Sequence, residues 1–457
     1  MTDYNTSREP EFDFADALQE ATDARDHERL NALLEPLSLS DALRELLQFS
    51  AAEREVILTL VSAELAASLI SEAPHELGAE LMEALPALRA VEIMDEMDSD
   101  VQADLIGDME DKEAEAILAQ MDVEDAADVR RLVEYDEDTA GGLMMSEVFT
   151  FSDKQTVGAV LREMAADDND VDRYRGQHPY ILDEDGKPIG VVSLRGLLST
   201  KRGALLTSIM VEPLTVGVHT SLSDLEDIFD KYPFLGVPVV EEGGDLVGVV
   251  SRASVAAALL ERAESENLKL QGVVGDELRS MPVWLRSRRR LAWLSANIVL
   301  NIIAASVISA YEETLMAVIA IAIFLPMVSD MSGCSGNQAV GVTMREMSLG
   351  LVRPVDAMKV WMKEVSVGLI NGVALGILIG IVAWVWKGSP ALGLVIGLAL
   401  ALNTMLAVSI GGVVPLLLKR LGQDPAAASG PLLTTVTDMA GFFFVLSLAS
   451  LMMPWLV

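Results

Sequence analysis

Residues 425–457 read PAAASGPLLTTVTDMAGFFFVLSLASLMMPWLV and carry a single charged side chain, the carboxylate of Asp438. The stretch is long enough to span a bilayer, which needs about 20 apolar residues. An ionised side chain at membrane depth costs at least about 2.5–3.5 kcal/mol, so it usually faces a pore, a relay or a partner. Thr434 lies one helical turn before Asp438 on the same face. These features predict a cation path. In the alternative, Asp438 pairs with an Arg or Asn of a neighbouring helix and only holds the bundle together.

Four further apolar runs precede this stretch, at residues 291–311, 315–329, 365–386 and 388–418, so we predict five membrane spans. Basic side chains occur before the first span, between the second and third, and between the fourth and fifth. The other loops hold Glu312, Glu313 and Lys387. Because positive loops stay cytoplasmic, we predict a multi-pass protein of the cell (inner) membrane, in contact with the lipid bilayer. Its N-terminus is cytoplasmic and its C-terminus lies outside.

The second span continues into a glycine-rich segment, LPMVSDMSGCSGNQAVGVTM at residues 325–344. Pro326 removes a helix donor, and Gly333 and Gly336 allow the backbone either to approach a neighbour closely or to leave the helix. Irregular backbone at membrane depth survives only where it lines a cavity or is buried in protein. We therefore predict that this backbone, with the amide oxygens of Asn337 and Gln338, comes within reach of a hydrated cation. The alternative is a kinked helix whose glycines serve only close packing.

Charge divides the chain into two parts. Residues 1–270 hold 59 acidic and 21 basic side chains, a net of −38, whereas residues 271–457 hold 10 and 12, a net of +2. The acidic part attracts cations and repels nucleic acid, so no nucleic-acid partner is expected. The single cysteine, Cys334, excludes an internal disulfide. The four histidines are scattered, and neither a phosphate loop nor a nucleophile–base spacing is visible, so we predict no enzymatic activity.

A twelve-residue hydrophobic period in the N-terminal region predicts stacked short helices, a helical solenoid. Acidic side chains fill its turns and outer faces, among them Asp95 and Asp98. Their density suggests weak divalent-cation binding, although an ordinary solvated face explains such a charge run equally simply. From Tyr135 onward the pattern changes to two copies of a strand–turn–strand–helix unit, HPYILDEDGKPIGVVSLRGLL and LGVPVVEEGGDLVGVVSRASVAAALL. Duplicated units of this kind predict a pseudo-symmetric pair with a cleft between them.

Several of these motifs together resemble the MgtE family of magnesium channels and transporters. They are YDEDTAGGLM (135–144), the paired units, which are similar to CBS domains, SRRRLAWL before the first span, GCSGNQ, and SGPLLTTVTDMAGFF. The resemblance implies an all-α N-terminal helical solenoid, an α/β CBS pair and a transmembrane domain of five helices, assembled as a homodimer. The implied domains are a flexible acidic N-terminus (1–30), an acidic helical-repeat domain (31–134), tandem CBS domains (135–262), a connecting, plug-like helix (263–285) and the membrane domain (286–457).

The resemblance also implies a function, the import of Mg²⁺ down its electrochemical gradient through a pore on the dimer axis. Asp438 would bind hydrated Mg²⁺ in that pore, which Thr434, Gly430 and Asn337 would line. Cytoplasmic Mg²⁺ bound by the acidic N-terminal and CBS domains would close it. Two readings stay open: a transporter that prefers Co²⁺, Mn²⁺ or Zn²⁺, and a membrane CBS sensor that conducts nothing.

The chain departs from the family pattern at three places. Cys334, a soft ligand, stands where the family commonly has Asn in its glycine motif. Gly196 and Ser254 stand where CBS nucleotide sites often have Asp, which weakens the expectation that ATP binds. The second CBS helix opens with SRASVAAA instead of an acidic cluster, so side chains at Ala253, Ser254 and Ala257 cannot bind a cation. The residues that could substitute as regulatory ligands, beside Asp95 and Asp98, are Glu261, Glu264 and Glu266.

Overall fold

A computed structural model of the chain describes residues 14–165, 178–273, 277–279 and 281–457. The predicted N-terminal segment 1–30 therefore lies largely outside the described residues. The chain divides into two compact units, Met1–Arg262 and Ala263–Val457.

Helices alone form the described N-terminal part of the first unit. They are α1 (Phe14–Ala24), α2 (His27–Leu34), α3 (Leu39–Leu46), α4 (Ala51–Leu60), α5 (Ala63–Glu72), α6 (His75–Glu83), α7 (Ala87–Met94), α8 (Ser99–Asp108), α9 (Asp111–Leu118) and α10 (Val123–Val133). From α2 to α10 a new helix begins every twelve residues, which confirms the predicted helical repeat.

Polar caps and apolar pairs at a constant spacing produce this repeat. Ser50 and Glu53 form a capping box at the start of α4, and the Ser62 hydroxyl accepts a hydrogen bond from the Leu65 amide at the start of α5. Each helix then places neighbouring apolar side chains inside, such as Ile93 and Met94 of α7, which are fully buried. Because one short helix cannot bury its apolar face alone, successive helices share a continuous core.

The remainder of the first unit contains two small sheets. Strands β1 (Met144–Met145), β5 (Val216–Gly217), β6 (Gly236–Val240) and β7 (Leu246–Ser251) form one sheet in the order β1-β7-β6-β5. Strands β2 (Thr150–Ser152), β3 (Tyr180–Leu182) and β4 (Pro188–Val191) form the other, in the order β2-β3-β4. The helices are α11 (Val157–Glu163), α12 (Leu194–Ser199), α13 (Leu222–Lys231) and α14 (Arg252–Leu270). The two predicted strand–turn–strand–helix copies are thus β3-β4-α12 and β6-β7-α14.

The second unit contains five helices long and apolar enough to span a membrane. They lie in α15 (Val283–Ala310), α17 (Leu325–Ser348), α18 (Ala357–Lys387), α19 (Pro390–Arg420) and α20 (Pro425–Leu451), with short helices α16 (Glu312–Ala317) and α21 (Met453–Leu456) beside them. The described part of the connecting segment 263–285 is not one helix. Helix α14 ends at Leu270, Gly272 adopts a left-handed conformation (φ 78°), and α15 begins at Val283.

The glycine-rich segment differs from the main prediction, because its backbone is regular. Residues 325–348 form one continuous helix, α17. Pro326 lies in the first turn, where a missing N–H breaks no hydrogen bond. Gly336 serves close packing, since a Cβ there would lie 3.0 Å from Leu433 Cδ1 and 3.1 Å from the Ala407 carbonyl oxygen. The alternative, in which the glycines serve packing, is the one that the structure supports, and the helix needs no kink.

Helices α18 and α19 contact each other through glycines. A Cβ on Gly376 would lie 2.5 Å from the Gly397 carbonyl oxygen, and a Cβ on Gly397 would lie 2.5 Å from the Gly376 carbonyl oxygen. Backbone cannot move aside as a flexible side chain can, so each added methyl group would push the helices apart. Small residues that permit close approach are the main source of helix association in a bilayer.

We expect Gly376→Ala to destabilise the membrane unit by about 1–3 kcal/mol, the usual range for overpacking. The matched control is Gly341→Ala, because a Cβ on Gly341 meets nothing within 4 Å. Thermal unfolding of the purified protein in detergent measures both. Equal midpoints for the two variants would contradict the packing described for α18 and α19.

Candidate metal-binding site in the membrane unit

Asp438 lies in the middle of α20 and is half-buried against α17. The Ser329 hydroxyl, in the second turn of α17, donates a hydrogen bond to Asp438 Oδ1. Gly333, one turn further along α17, lies beside Thr437, whose hydroxyl would be in ordinary contact, 3.8 Å, with a Cβ at that position. The structure therefore brings the lone carboxylate of the last span onto the glycine-rich helix, as two separate parts of the sequence suggest.

A buried amide behind α20 positions this contact. Asn403, on α19, is fully buried, and its Nδ2 donates to the Thr437 carbonyl oxygen at 3.0 Å and to the Val328 carbonyl oxygen at 3.5 Å. Gly441 makes room for the amide, because a Cβ there would lie 2.8 Å from Asn403 Nδ2. The single side chain of Asn403 thus joins α19 to the backbones of α17 and α20 at the level of Asp438.

The other predicted pore residues lie on exposed faces of the same two helices. Thr434 is exposed on α20, and its hydroxyl donates to the Gly430 carbonyl oxygen at 3.0 Å. Gly430 is partly exposed one turn before Thr434. Asn337 is exposed on α17. The positions Gly430, Thr434 and Asp438 follow a spacing of four along α20, so they occupy one face of that helix.

No basic side chain forms an ion pair with Asp438 in the part of the chain that the structure describes. The alternative in which Asp438 only pairs with an Arg or Asn has no support there, because the nearby Asn403 bonds to backbone carbonyls. The hydrogen bond to Asp438 comes from the neutral Ser329 hydroxyl. A carboxylate of this kind can accept hydrogen bonds from the water shell of a cation. Mg²⁺ suits such a site because it dehydrates reluctantly and usually keeps several waters.

The predicted regulatory residues are dispersed. Asp95 caps the C-terminal end of α7, and Asp98 is buried at the N-terminal end of α8. Glu261 lies on α14 in the first unit, whereas Glu264 and Glu266 belong to the second unit. Among the described residues, no three or more His, Cys, Asp or Glu side chains are grouped so that they could hold a metal ion.

Glu261 nevertheless lies in an acidic environment between the helical repeat and α14. His75, at the start of α6, has its Nε2 3.7 Å from Glu261 Oε2 and its Nδ1 3.9 Å from Asp104 Oδ2. Burial raises the pKa of Asp104 to about 7, His75 opposes this shift, and the charges of Asp100, Glu137 and Asp108 reinforce it. Carboxylates thus outnumber cations at this contact.

Reasoning from the sequence did not identify Ser329 or Asn403 as part of the site. Ser329 is one of several small polar residues in the glycine-rich segment, and nothing in its spacing distinguishes it. Asn403 could have been identified from the sequence, because Asn403 and Thr404 are neighbouring polar residues within the long apolar run LGLVIGLALALNTMLAV. A buried amide within a membrane helix normally bonds to a neighbouring helix.

Comparison with known protein families assigns most of the chain. Residues 34–138 match the MgtE intracellular N domain, residues 140–203 and 206–261 match CBS domains, and residues 325–448 match the MgtE divalent cation transporter family. The last match includes Ser329, Asn337, Asn403 and Asp438.

Similar proteins span nearly the same length. The magnesium transporter MgtE of Thermus thermophilus is 35% identical over 452 residues, covering 96% of this chain and 98% of that protein. The magnesium transporter MgtE of Enterococcus faecalis is 30% identical over 336 residues, 73% of each chain. A crystal structure of the cytosolic domain of the Mg²⁺ channel MgtE in complex with ATP is 30% identical, with a TM-score of 0.49, and covers 53% of this chain and 99% of that one.

The identity and coverage extend across the helical repeat, the CBS pair and the membrane helices, and the relatives are magnesium transporters and not enzymes. The chain therefore belongs to the MgtE family of magnesium transporters and is a multi-pass membrane protein.

Proposed function

We propose that the protein imports Mg²⁺ down its electrochemical gradient through a pore on the axis of a homodimer. The observation that carries this proposal is the Asp438 carboxylate, which faces a polar helix and has no basic partner among the described residues. Two copies of Asp438 facing each other would carry a charge of −2, which one hydrated dication balances. Selectivity then follows from a cavity sized for the hydrated ion.

Exposed polar side chains support the homodimer. In a single chain, Asn337 of α17 and Thr434 of α20 lie on the surface of a membrane-spanning unit. Lipid cannot hydrogen-bond them, so such side chains normally face a protein partner or a water-filled cavity. A second copy related by twofold symmetry would place the same faces opposite each other and enclose water between them. The basic loops favour a cytoplasmic N-terminus and an external C-terminus in the inner membrane.

A preference for Co²⁺, Mn²⁺ or Zn²⁺ is the second candidate, and Cys334 favours it. Cys334 is exposed on α17, one turn before Asn337 on the same helix face. A thiolate binds these softer ions better than it binds Mg²⁺. Competition among the ions in one flux measurement separates the two candidates.

Cytoplasmic Mg²⁺ would close the pore by binding to the acidic soluble part. The proposed ligands are Asp95, Asp98, Glu261, Glu264 and Glu266. Glu261 is the best-supported of them, because it and Asp104 lie on the two ring nitrogens of His75. Because Ala253, Ser254 and Ala257 offer no carboxylate, we propose that this closure needs more Mg²⁺ than in relatives with the acidic cluster. The Ser254 hydroxyl is bonded to the Ser251 hydroxyl (2.8 Å), and Gly196 has no side chain, so we expect weak ATP binding at best.

Influx of Mg²⁺ into proteoliposomes tests the pore. We expect influx with the unaltered protein and none with Asp438→Asn, because the amide removes the charge that balances the ion. Glu312→Gln is the matched control, since it removes an exposed carboxylate at the start of the short helix α16. No influx with the unaltered protein would favour a non-conducting sensor. Equal influx with Asp438→Asn would place the ion site elsewhere.

Restoring carboxylates at the start of α14 tests the proposed closure. We expect the double variant Ala253→Asp with Ala257→Glu to close at a cytoplasmic Mg²⁺ concentration lower by about tenfold, since both positions are exposed and one turn apart. Open probability in patches measures this, with Leu198→Glu as a control that adds charge on α12. An unaltered protein that closes at as low a Mg²⁺ concentration as relatives with the full acidic cluster would contradict the proposal.

The raised pKa of Asp104 makes stability depend on pH. The folded state keeps the Asp104 proton up to about pH 7, whereas an unfolded chain loses it near pH 4, so stability falls as pH rises through this window. Asp104→Asn should therefore raise the unfolding midpoint at pH 8 by about 2–4 °C and change it much less at pH 4. Glu55→Gln, at an exposed position of α4, is the control. Thermal unfolding at both pH values measures this. An equal rise of the unfolding midpoint at pH 4 and pH 8 would contradict the raised pKa of Asp104.

A further inference from the structure

A second carboxylate, Asp330, lies in a membrane-spanning helix without a neutralising partner. It follows Ser329 on α17, is exposed, and forms no ion pair or hydrogen bond with another described residue. It is next in the chain to Ser329, whose hydroxyl bonds to the Asp438 carboxylate. A carboxylate facing lipid at this depth would cost about 2.5–3.5 kcal/mol or more, so it must face water or a partner.

The helix geometry places Asp330 on the same face as the other exposed polar residues. Asp330, Cys334 and Asn337 are separated by four and then three residues, which aligns their side chains along one stripe of α17. The structure leaves all three exposed, while the intervening Ser332, Ser335 and Gly336 are buried, Gly336 against Ala407 of α19 and Leu433 of α20. The stripe therefore points away from its own subunit, in the direction where the proposed pore would lie.

We infer that Asp330 is a second pore carboxylate, adjacent to Asp438, that raises the affinity for hydrated divalent cations. This inference rests on the proposed dimeric pore and deepens it. With two copies of each residue, the pore carries four carboxylates where Asp438 alone supplies two. At a distance of about 10 Å in water, the attraction between one additional carboxylate and a dication changes the affinity about fourfold, so two copies change it about sixteenfold, on the order of tenfold.

Asp438 holds the ion, whereas Asp330 only raises the affinity of the pore for cations. The different surroundings of the two carboxylates support this distinction. Asp438 is half-buried and oriented by the Ser329 hydroxyl, so its position is defined. Asp330 has no such support, so its charge raises the local cation concentration without fixing an ion. Its loss should therefore raise the KM for Mg²⁺ and leave the maximal influx nearly unchanged.

Mg²⁺ influx into proteoliposomes tests this with the full-length protein and three variants at position 330. We expect Asp330→Asn and Asp330→Ser to raise the KM about tenfold, and Asp330→Glu to stay near the unaltered value because it keeps the charge. The difference in KM between the neutral variants and the unaltered protein should be smaller at about 0.5 M salt than at about 0.02 M salt, since screening weakens a charge effect but not a packing effect. Removing an unpartnered charge from a membrane helix also removes a cost, so both neutral variants should fold. Size-exclusion chromatography checks this.

Inhibition of Mg²⁺ influx by cobalt(III) hexaammine, an inert octahedral trication, provides a second readout. We expect Asp330→Asn to raise the inhibition constant of this trication by a larger factor than it raises the KM for Mg²⁺. Glu312→Gln controls for general surface charge. An unchanged KM in Asp330→Asn, together with lost influx in Asp438→Asn, would overturn the role of Asp330 and leave the pore intact. No influx with the unaltered protein would overturn both proposals.

Discussion

A carboxylate in the membrane-spanning part of a chain must find hydration or a partner, and much of the membrane unit is arranged around this requirement at Asp438. Ser329 bonds to the carboxylate, and Asn403 joins the backbones of α17 and α20 immediately behind it. Neither neighbour carries a charge. The carboxylate is therefore oriented without being neutralised, and its remaining lone pairs are left for a cation with its water shell.

Close helix packing makes this arrangement rigid. Glycines hold α18 against α19, and Gly336 and Gly411 hold α17 against α19, where a Cβ on Gly411 would lie 2.3 Å from the Gly336 carbonyl oxygen. These contacts leave the exposed polar faces of α17 and α20 on the outside of the subunit. A single copy in a bilayer would expose these faces to lipid, which is the physical reason to propose a second copy.

The soluble part differs from the membrane unit in its electrostatics, because it carries many carboxylates. Residues 1–270 carry a net charge of −38, which the helical repeat and the CBS pair share. At the contact that involves His75, Asp104 and Glu261, burial and mutual repulsion raise the pKa of Asp104 to about 7. Dications would relieve such repulsion, so this acidic contact supports the proposed closure by cytoplasmic Mg²⁺ even though its carboxylates are not preassembled as a metal site.

Periodic features were predictable from the sequence. The twelve-residue repeat predicts helices that begin every twelve residues, the duplicated GVVS units predict the paired strands, and the apolar runs predict five spans. Each of these signals is local or repeated, so a single chain suffices to read it. One wrong expectation, irregular backbone at residues 325–344, came from treating Pro326 as a helix breaker, although its position in the first turn makes it harmless.

The residues alone show that an isolated carboxylate, Asp438, lies in the last of five spans, because charge and hydropathy are properties of the residues. The groups that surround this carboxylate depend on how the helices pack. Ser329 and Asn403 are distant from Asp438 in the chain, and hydrogen bonds across three helices depend on packing and rotation that no local pattern encodes. The exposed stripe of Asp330, Cys334 and Asn337 was hidden for the same reason, since helical spacing aligns side chains but only packing decides which face is left open.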